Sequence, residues 1–154
     1  MRVVRYWSVS HAGAMQRVYQ ALERLLIVID PLLRKLGYQR LEAPFAAVES
    51  VLKGWFFDCR MCGHCVLQST GMSCPMNCPK QLRNGPCGGV RADGSCELDP
   101  AMRCVWVEAV RGAARLPGER IQVIQAPLDH SLVGRSAWLR ELRLRTAPLS
   151  RPAP

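Results

Sequence analysis
The sequence predicts a small α + irregular fold held together by its thiols rather than by a large hydrophobic core. Three observations point there. All eight cysteines of the 154 residues lie between Cys59 and Cys104. The same stretch is crowded with Gly63, Gly71, Gly85, Gly88, Gly89 and Gly94, and Pro75, Pro79 and Pro86 each flank a cysteine. Apolar residues at helical spacing precede it, and an arginine-rich tail follows. The chain therefore divides into an N-terminal helical region (1–57), a cysteine-rich, metal-cluster-stabilised domain (58–110) and an Arg/Pro-rich C-terminal extension (111–154).

Residues 12–29 read as a helix, because Met15, Val18, Tyr19, Leu22, Leu25, Leu26 and Ile29 recur every three or four residues. Gln16, Arg17, Gln20, Glu23 and Arg24 take the other side. Pro31 ends or kinks this helix, Leu32 to Leu36 add a turn or two, and Gly37 suits a C-cap. The chain offers few elements to cover the stripe, so a core face and a partner surface both stand as readings. A second helix is expected from Pro44 to Trp55, with Phe45, Val48, Val51, Leu52 and Trp55 on one face. It delivers Phe56-Phe57-Asp58 directly to Cys59. Those aromatics either pack as an ordinary core or shield a metal cluster from water.

The cysteine spacing is C-x2-C-x2-C-x8-C-x3-C-x8-C-x8-C-x7-C. Disulfides suit small secreted domains with an even cysteine count. Against them, Met1 to Ser10 shows no apolar run of signal-peptide length. Zinc is the stronger alternative, since eight thiolates build two four-cysteine sites and C-x2-C is the usual knuckle. Yet Cys59, Cys62 and Cys65 arrive within seven residues, as in the ferredoxin C-x2-C-x2-C run. That triple suits one face of an iron–sulfur cube, in a ferredoxin-like loop region. The closing C-P, Cys78-Pro79, comes thirteen residues after Cys65, against about four in a ferredoxin. The match is partial; the triple favours iron–sulfur, and zinc remains open beside it. Asn84-Gly85-Pro86 and Asp93-Gly94 are turn signals placed just before Cys87 and Cys96. His64 is a possible ligand type, but eight cysteines already suffice for two sites. Lys80 and Arg83 either shift a cluster potential upward, meet a carboxylate on a partner, or are simply solvated.

The net charge of +9 is unevenly distributed: +3 over residues 1–58, +1 over 59–110 and +5 over 111–154. Gly112 to Gly118 reads as a linker, and Ile121 to Ile124 as a short strand or more loop. Ser136 to Arg145 reads as a short helix with Ser136 as N-cap and Trp138, Leu139 and Leu142 on one side. The last residues, with three prolines, are expected to be disordered. A tail rich in arginine raises nucleic acid as a partner. The charge is spread, however, and Trp138 is the one aromatic available for base stacking. A tail that clasps a larger subunit fits better. No run approaches the length of a membrane span, and reduced thiols favour the cytoplasm.

The run from Phe57 to Trp106 contains C-x-x-C-G-x-C, C-P-M-x-C-P-K, N-G-P-C-G-G, G-x-C-E and C-V-W. In these motifs it resembles the methylenetetrahydrofolate reductase C-terminal domain family. The resemblance implies the small iron–sulfur subunit of a split bacterial reductase, accompanying a flavin-containing barrel subunit. That enzyme reduces 5,10-methylenetetrahydrofolate to 5-methyltetrahydrofolate. It also implies that Cys59, Cys62, Cys65, Cys74, Cys78, Cys87, Cys96 and Cys104 hold two [4Fe–4S] clusters, or in some members two Zn2+. Flavin is expected only on the partner, and no catalytic residue is expected on this chain. A (β/α)8 barrel takes about 250 residues, more than this sequence contains. The competing class is a zinc-stabilised interaction module, with nucleic acid among its candidate partners.

Overall fold
The computed structural model describes residues 2–118, 121 and 127–147. Its described residues form five α-helices and no sheet. Helix α1 spans Arg2–Ser10, α2 Ala12–Leu36, α3 Tyr38–Phe57, α4 Val105–Ala113 and α5 Ala137–Thr146. Between α3 and α4 the chain is irregular apart from a single 3-10 turn at Pro75–Asn77. None of the helices is long and apolar enough to cross a membrane.

Helix α2 extends the expected 12–29 segment through Pro31 to Leu36, and Gly37 caps it with φ 86° and its N–H on the Leu33 and Arg34 carbonyls. Pro31 removes one ladder hydrogen bond. Leu26 and Leu33, on either side of it, are both buried in one cluster with Trp138, Leu139 and Leu142. Packing on both flanks holds the helix continuous where local propensity would break it. Pro44 is likewise inside α3, which begins six residues earlier than expected.

The stripe on α2 is a core face on one side only. Leu26 and Leu33 are buried, while Val18, Leu25, Val28 and Leu32 on other sides of the helix are exposed. Helix α3 departs further from expectation. Its buried residues are Glu49, Lys53 and Phe57, whereas Val48, Val51, Leu52 and Trp55 face outward at 46–70% exposure. The charged pair, four residues apart, forms the inner face.

Helix α1 packs on α3 and α4 through buried Arg5, Ser8 and Val9. Ser8 Oγ donates to the Phe56 carbonyl at 2.9 Å. Two of its three buried residues, Arg5 and Ser8, are polar, so its inward side is not an apolar one.

The C-terminal segment folds back on its own chain. Ser136 Oγ accepts from the Leu139 N–H, the N-cap bond expected for α5. Arg143 and Arg135 approach Glu42 at 3.3 and 3.9 Å, and Arg145 approaches Glu23 at 3.4 Å. These arginines meet carboxylates of α2 and α3. The expected linker begins inside α4, where Gly112 crosses Gly71 so closely that a Cβ on either would collide with the other's backbone neighbourhood. Leu116 is buried with Ala12, Phe57, Leu67, Met72 and Cys74. Residues 122–124 of the expected strand and residues 148–154 of the proline-rich end lie outside the described residues.

Candidate metal centres
The chain enters the cysteine region through a shaped helix end. Asp58 adopts the left-handed conformation (φ 53°, ψ 47°) that usually closes a helix. The Cys59 N–H bonds back to the Lys53 carbonyl at 3.2 Å, and Asn77 Nδ2 donates to the Phe57 carbonyl at 2.8 Å. These bonds fix where Cys59 starts. Met61 then takes φ 47°, a conformation that costs a non-glycine residue energy and clusters at functional sites. It aims its N–H at Cys59 Sγ, 3.3 Å away. Gly63 follows with φ 71°, and a Cβ there would run into Leu132.

All eight cysteines are free thiols, so disulfides do not hold this region. The thiols sort into two cavities. Cys59, Cys62, Cys65 and Cys74 line the first, with about 350 Å³ of atom-free space, open solvent at its mouth included. Cys78, Cys87, Cys96 and Cys104 line the second, with about 340 Å³ on the same measure. Among the described residues no group of three or more His, Cys, Asp and Glu side chains is drawn together closely enough to hold a metal ion.

The second cavity is assembled by a short antiparallel turn. Asp93 Oδ1 accepts from the Ser95 N–H and hydroxyl, stabilising the turn at Gly94 expected from Asp93-Gly94. Cys96 N–H then bonds to the Met102 carbonyl and Cys104 N–H to the Gly94 carbonyl, both at 2.9 Å. This pairing draws two distant thiols together. Gly89 N–H points at Cys87 Sγ at 3.4 Å, repeating the Met61–Cys59 arrangement. Trp106 closes the floor, its Nε1–H donating to the Leu82 carbonyl at 3.0 Å.

Burial pushes the Cys59 thiol up to about 11, and burial drives Cys74 upward further. A thiol in such surroundings stays neutral unless a cation replaces the missing water, and metal ions do so. Cys87 behaves differently: the Gly89 N–H lowers its pKa against the opposing effect of desolvation, and the Lys80 ammonium lowers it further.

Basic side chains surround both sites. Arg83 lies against Met76 Sδ at 3.3 Å and Cys62 Sγ at 3.9 Å on the first cavity's wall. Lys80 pairs with Glu97 of its own chain, and Glu97 Oε1 lies 3.7 Å from Cys87 Sγ. His64 borders the first cavity, its Nε2 buried without a hydrogen-bond partner, as is Arg83 Nε. Burial, then Arg140 and Arg83, lower the His64 pKa. Four thiols per cavity, orphaned polar atoms on the rim of the first and N–H groups aimed at sulfur suit a thiolate-bound metal group in each site.

The sequence did not single out Glu49 and Lys53, or Tyr19 as more than a core residue. Lys53 Nζ lies 2.6 Å from Glu49 Oε1, with both side chains within 3% of full burial. Glu49 Oε2 accepts from Ser136 Oγ at 2.7 Å and from the Trp138 N–H at 3.2 Å. Burial works against the Lys53 charge, but Cys65, Tyr19 and Glu49 outweigh it and hold its pKa above the usual range. The available signal was the four-residue spacing of Glu49 and Lys53 on one helix.

The family model described as methylene-tetrahydrofolate reductase C terminal matches residues 38–131. That span contains all eight cysteines. No curated protein and no solved structure matches the chain.

Proposed function
Because this chain belongs to the methylene-tetrahydrofolate reductase C-terminal family, we propose that it is an iron–sulfur accessory subunit of such a reductase. The observation that carries this reading is the sorting of eight free thiols, four to each of two cavities. Cys59, Cys62, Cys65 and Cys74 would hold one [4Fe–4S] cluster, and Cys78, Cys87, Cys96 and Cys104 the other. When bound, such clusters take up and release single electrons at potentials set by charge, hydrogen bonding and exposure. The chain's own part is to hold and tune them. The Met61 and Gly89 N–H groups stabilise charge on the sulfurs of Cys59 and Cys87. Lys53 and Arg83 line the first cavity, and Lys80 lines the second. Together they offset the negative charge that four thiolates bring.

Flavin, and the reduction of 5,10-methylenetetrahydrofolate to 5-methyltetrahydrofolate, are assigned to a barrel subunit. The outward apolar face of α3, with Val48, Val51, Leu52 and Trp55, supports association with such a partner. The reading also places the chain in the cytoplasm, where thiols stay reduced.

The test is anaerobic co-purification with the flavin subunit, followed by counts of iron, acid-labile sulfide and zinc per chain. About eight irons with matching sulfide is the expected result. About two zincs without sulfide would replace it with a structural zinc module.

A further inference from the structure
One hydrogen bond reaches the first set of thiols from outside the matched span 38–131. Tyr19, on α2, donates its hydroxyl to Cys65 Sγ at 3.2 Å. A phenol carries its proton at neutral pH and is a donor by its ordinary chemistry. The ring is held in place from behind. Lys53 Nζ sits 5.3 Å from the Tyr19 ring centroid and 5.1 Å from that of Trp138. Glu49 anchors this ammonium at 2.6 Å, and Glu49 is itself fixed by Ser136 and Trp138 of α5. Helices α2, α3 and α5 thus converge behind one thiol. Cys65 is also the one exposed cysteine of its set.

Resting on the reading above, we infer that Tyr19 is a positioning residue that sets the reduction potential of the first cluster through Cys65, with Lys53 holding its ring. An O–H donated to a ligand sulfur favours the more negative, reduced state, and potentials of such clusters respond to hydrogen bonds of this kind. The second set of thiols has no contact with Tyr19 among its cavity-lining residues, so the effect is confined to one cluster. Helix α2 then does more than pack: it completes a site whose thiols lie entirely within the matched span.

The experiment compares Tyr19→Phe with the parent chain, purified anaerobically at full length. Iron and sulfide are counted first, and then both midpoint potentials are measured by titration monitored by electron paramagnetic resonance. Tyr38→Phe is the control, since Tyr38, the first residue of α3, donates to Asp30 and lines neither thiol cavity. With the iron count unchanged, Tyr19→Phe moves one midpoint negative by about tenfold in the reduction equilibrium, ~59 mV for one electron. The other midpoint stays, and Tyr38→Phe moves neither. Full iron content with neither midpoint moved, or with both moved equally, overturns the inference while leaving the iron–sulfur reading intact. A parent chain that carries zinc and no iron overturns that reading, and this inference with it.

Discussion

Replacing Lys53 by Met removes the cation of a pair that is almost wholly out of water. The side chains of Lys53 and Glu49 are 3% and 1% exposed. Glu49 keeps its two donors from α5 but becomes a buried carboxylate without a counter-charge. Removing one partner of a buried pair costs about 3–5 kcal/mol. For a chain of this size each kcal/mol lowers the thermal midpoint by about 2–4 °C, so the expected drop is about 6–20 °C. Circular dichroism on the anaerobic protein, at constant metal content, measures it. The double variant Lys53→Met with Glu49→Gln removes both charges and should cost less than the two single losses added, by about 0.5–3 kcal/mol. A loss below about 1 kcal/mol for Lys53→Met is what an exposed pair gives, and would refute the buried inner face of α3.

Other parts of the fold give shorter tests. Gly112→Ala pushes a methyl into the Gly71 backbone, and should cost about 1–3 kcal/mol by overpacking, read from the same thermal midpoint. Ser136→Ala removes both the α5 N-cap bond and a partner of Glu49, at about 0.5–2 kcal/mol for the cap alone; chemical denaturation would show it. Val51→Glu, on a residue 70% exposed, should change stability by no more than about 0.5 kcal/mol while weakening co-purification with the flavin subunit. A complex that survives it unchanged would remove the α3 face from the interface.

Much of the candidate site was legible because cysteine chemistry is local. The triple Cys59, Cys62, Cys65 and the Asp93-Gly94 turn are short-range signals; the structure forms the turn and brings the three thiols to one cavity. How the eight divide was not legible. Intervals of eight residues separate three of the successive cysteine pairs, so spacing alone does not say where one set ends. Long-range bonds decide it, such as Asn77 to Phe57 and Cys104 to Gly94. The helices divide in the same way. Ser136 and Gly37 act as the caps their residue types predict, because a cap is a local hydrogen-bonding arrangement. Pro31 and Pro44 mislead, because tertiary packing on both flanks outweighs one lost backbone bond. Helix α3 misleads most. Val48, Val51, Leu52 and Trp55 face outward while Glu49 and Lys53 face inward with Phe57, an arrangement that makes sense once four thiols stand beside Lys53. Periodicity finds the helix but assigns it the wrong inner face.

The division of the thiols into two independent sets is tested most directly by metal counts on two single variants, Cys74→Ser and Cys104→Ser, purified anaerobically with the partner. Cys74 lines only the first cavity and Cys104 only the second. Each variant should keep about four irons with matching sulfide, half the parent content, and the double variant should keep essentially none. Loss of all iron from both single variants, or a full complement in either, would contradict the two-site account.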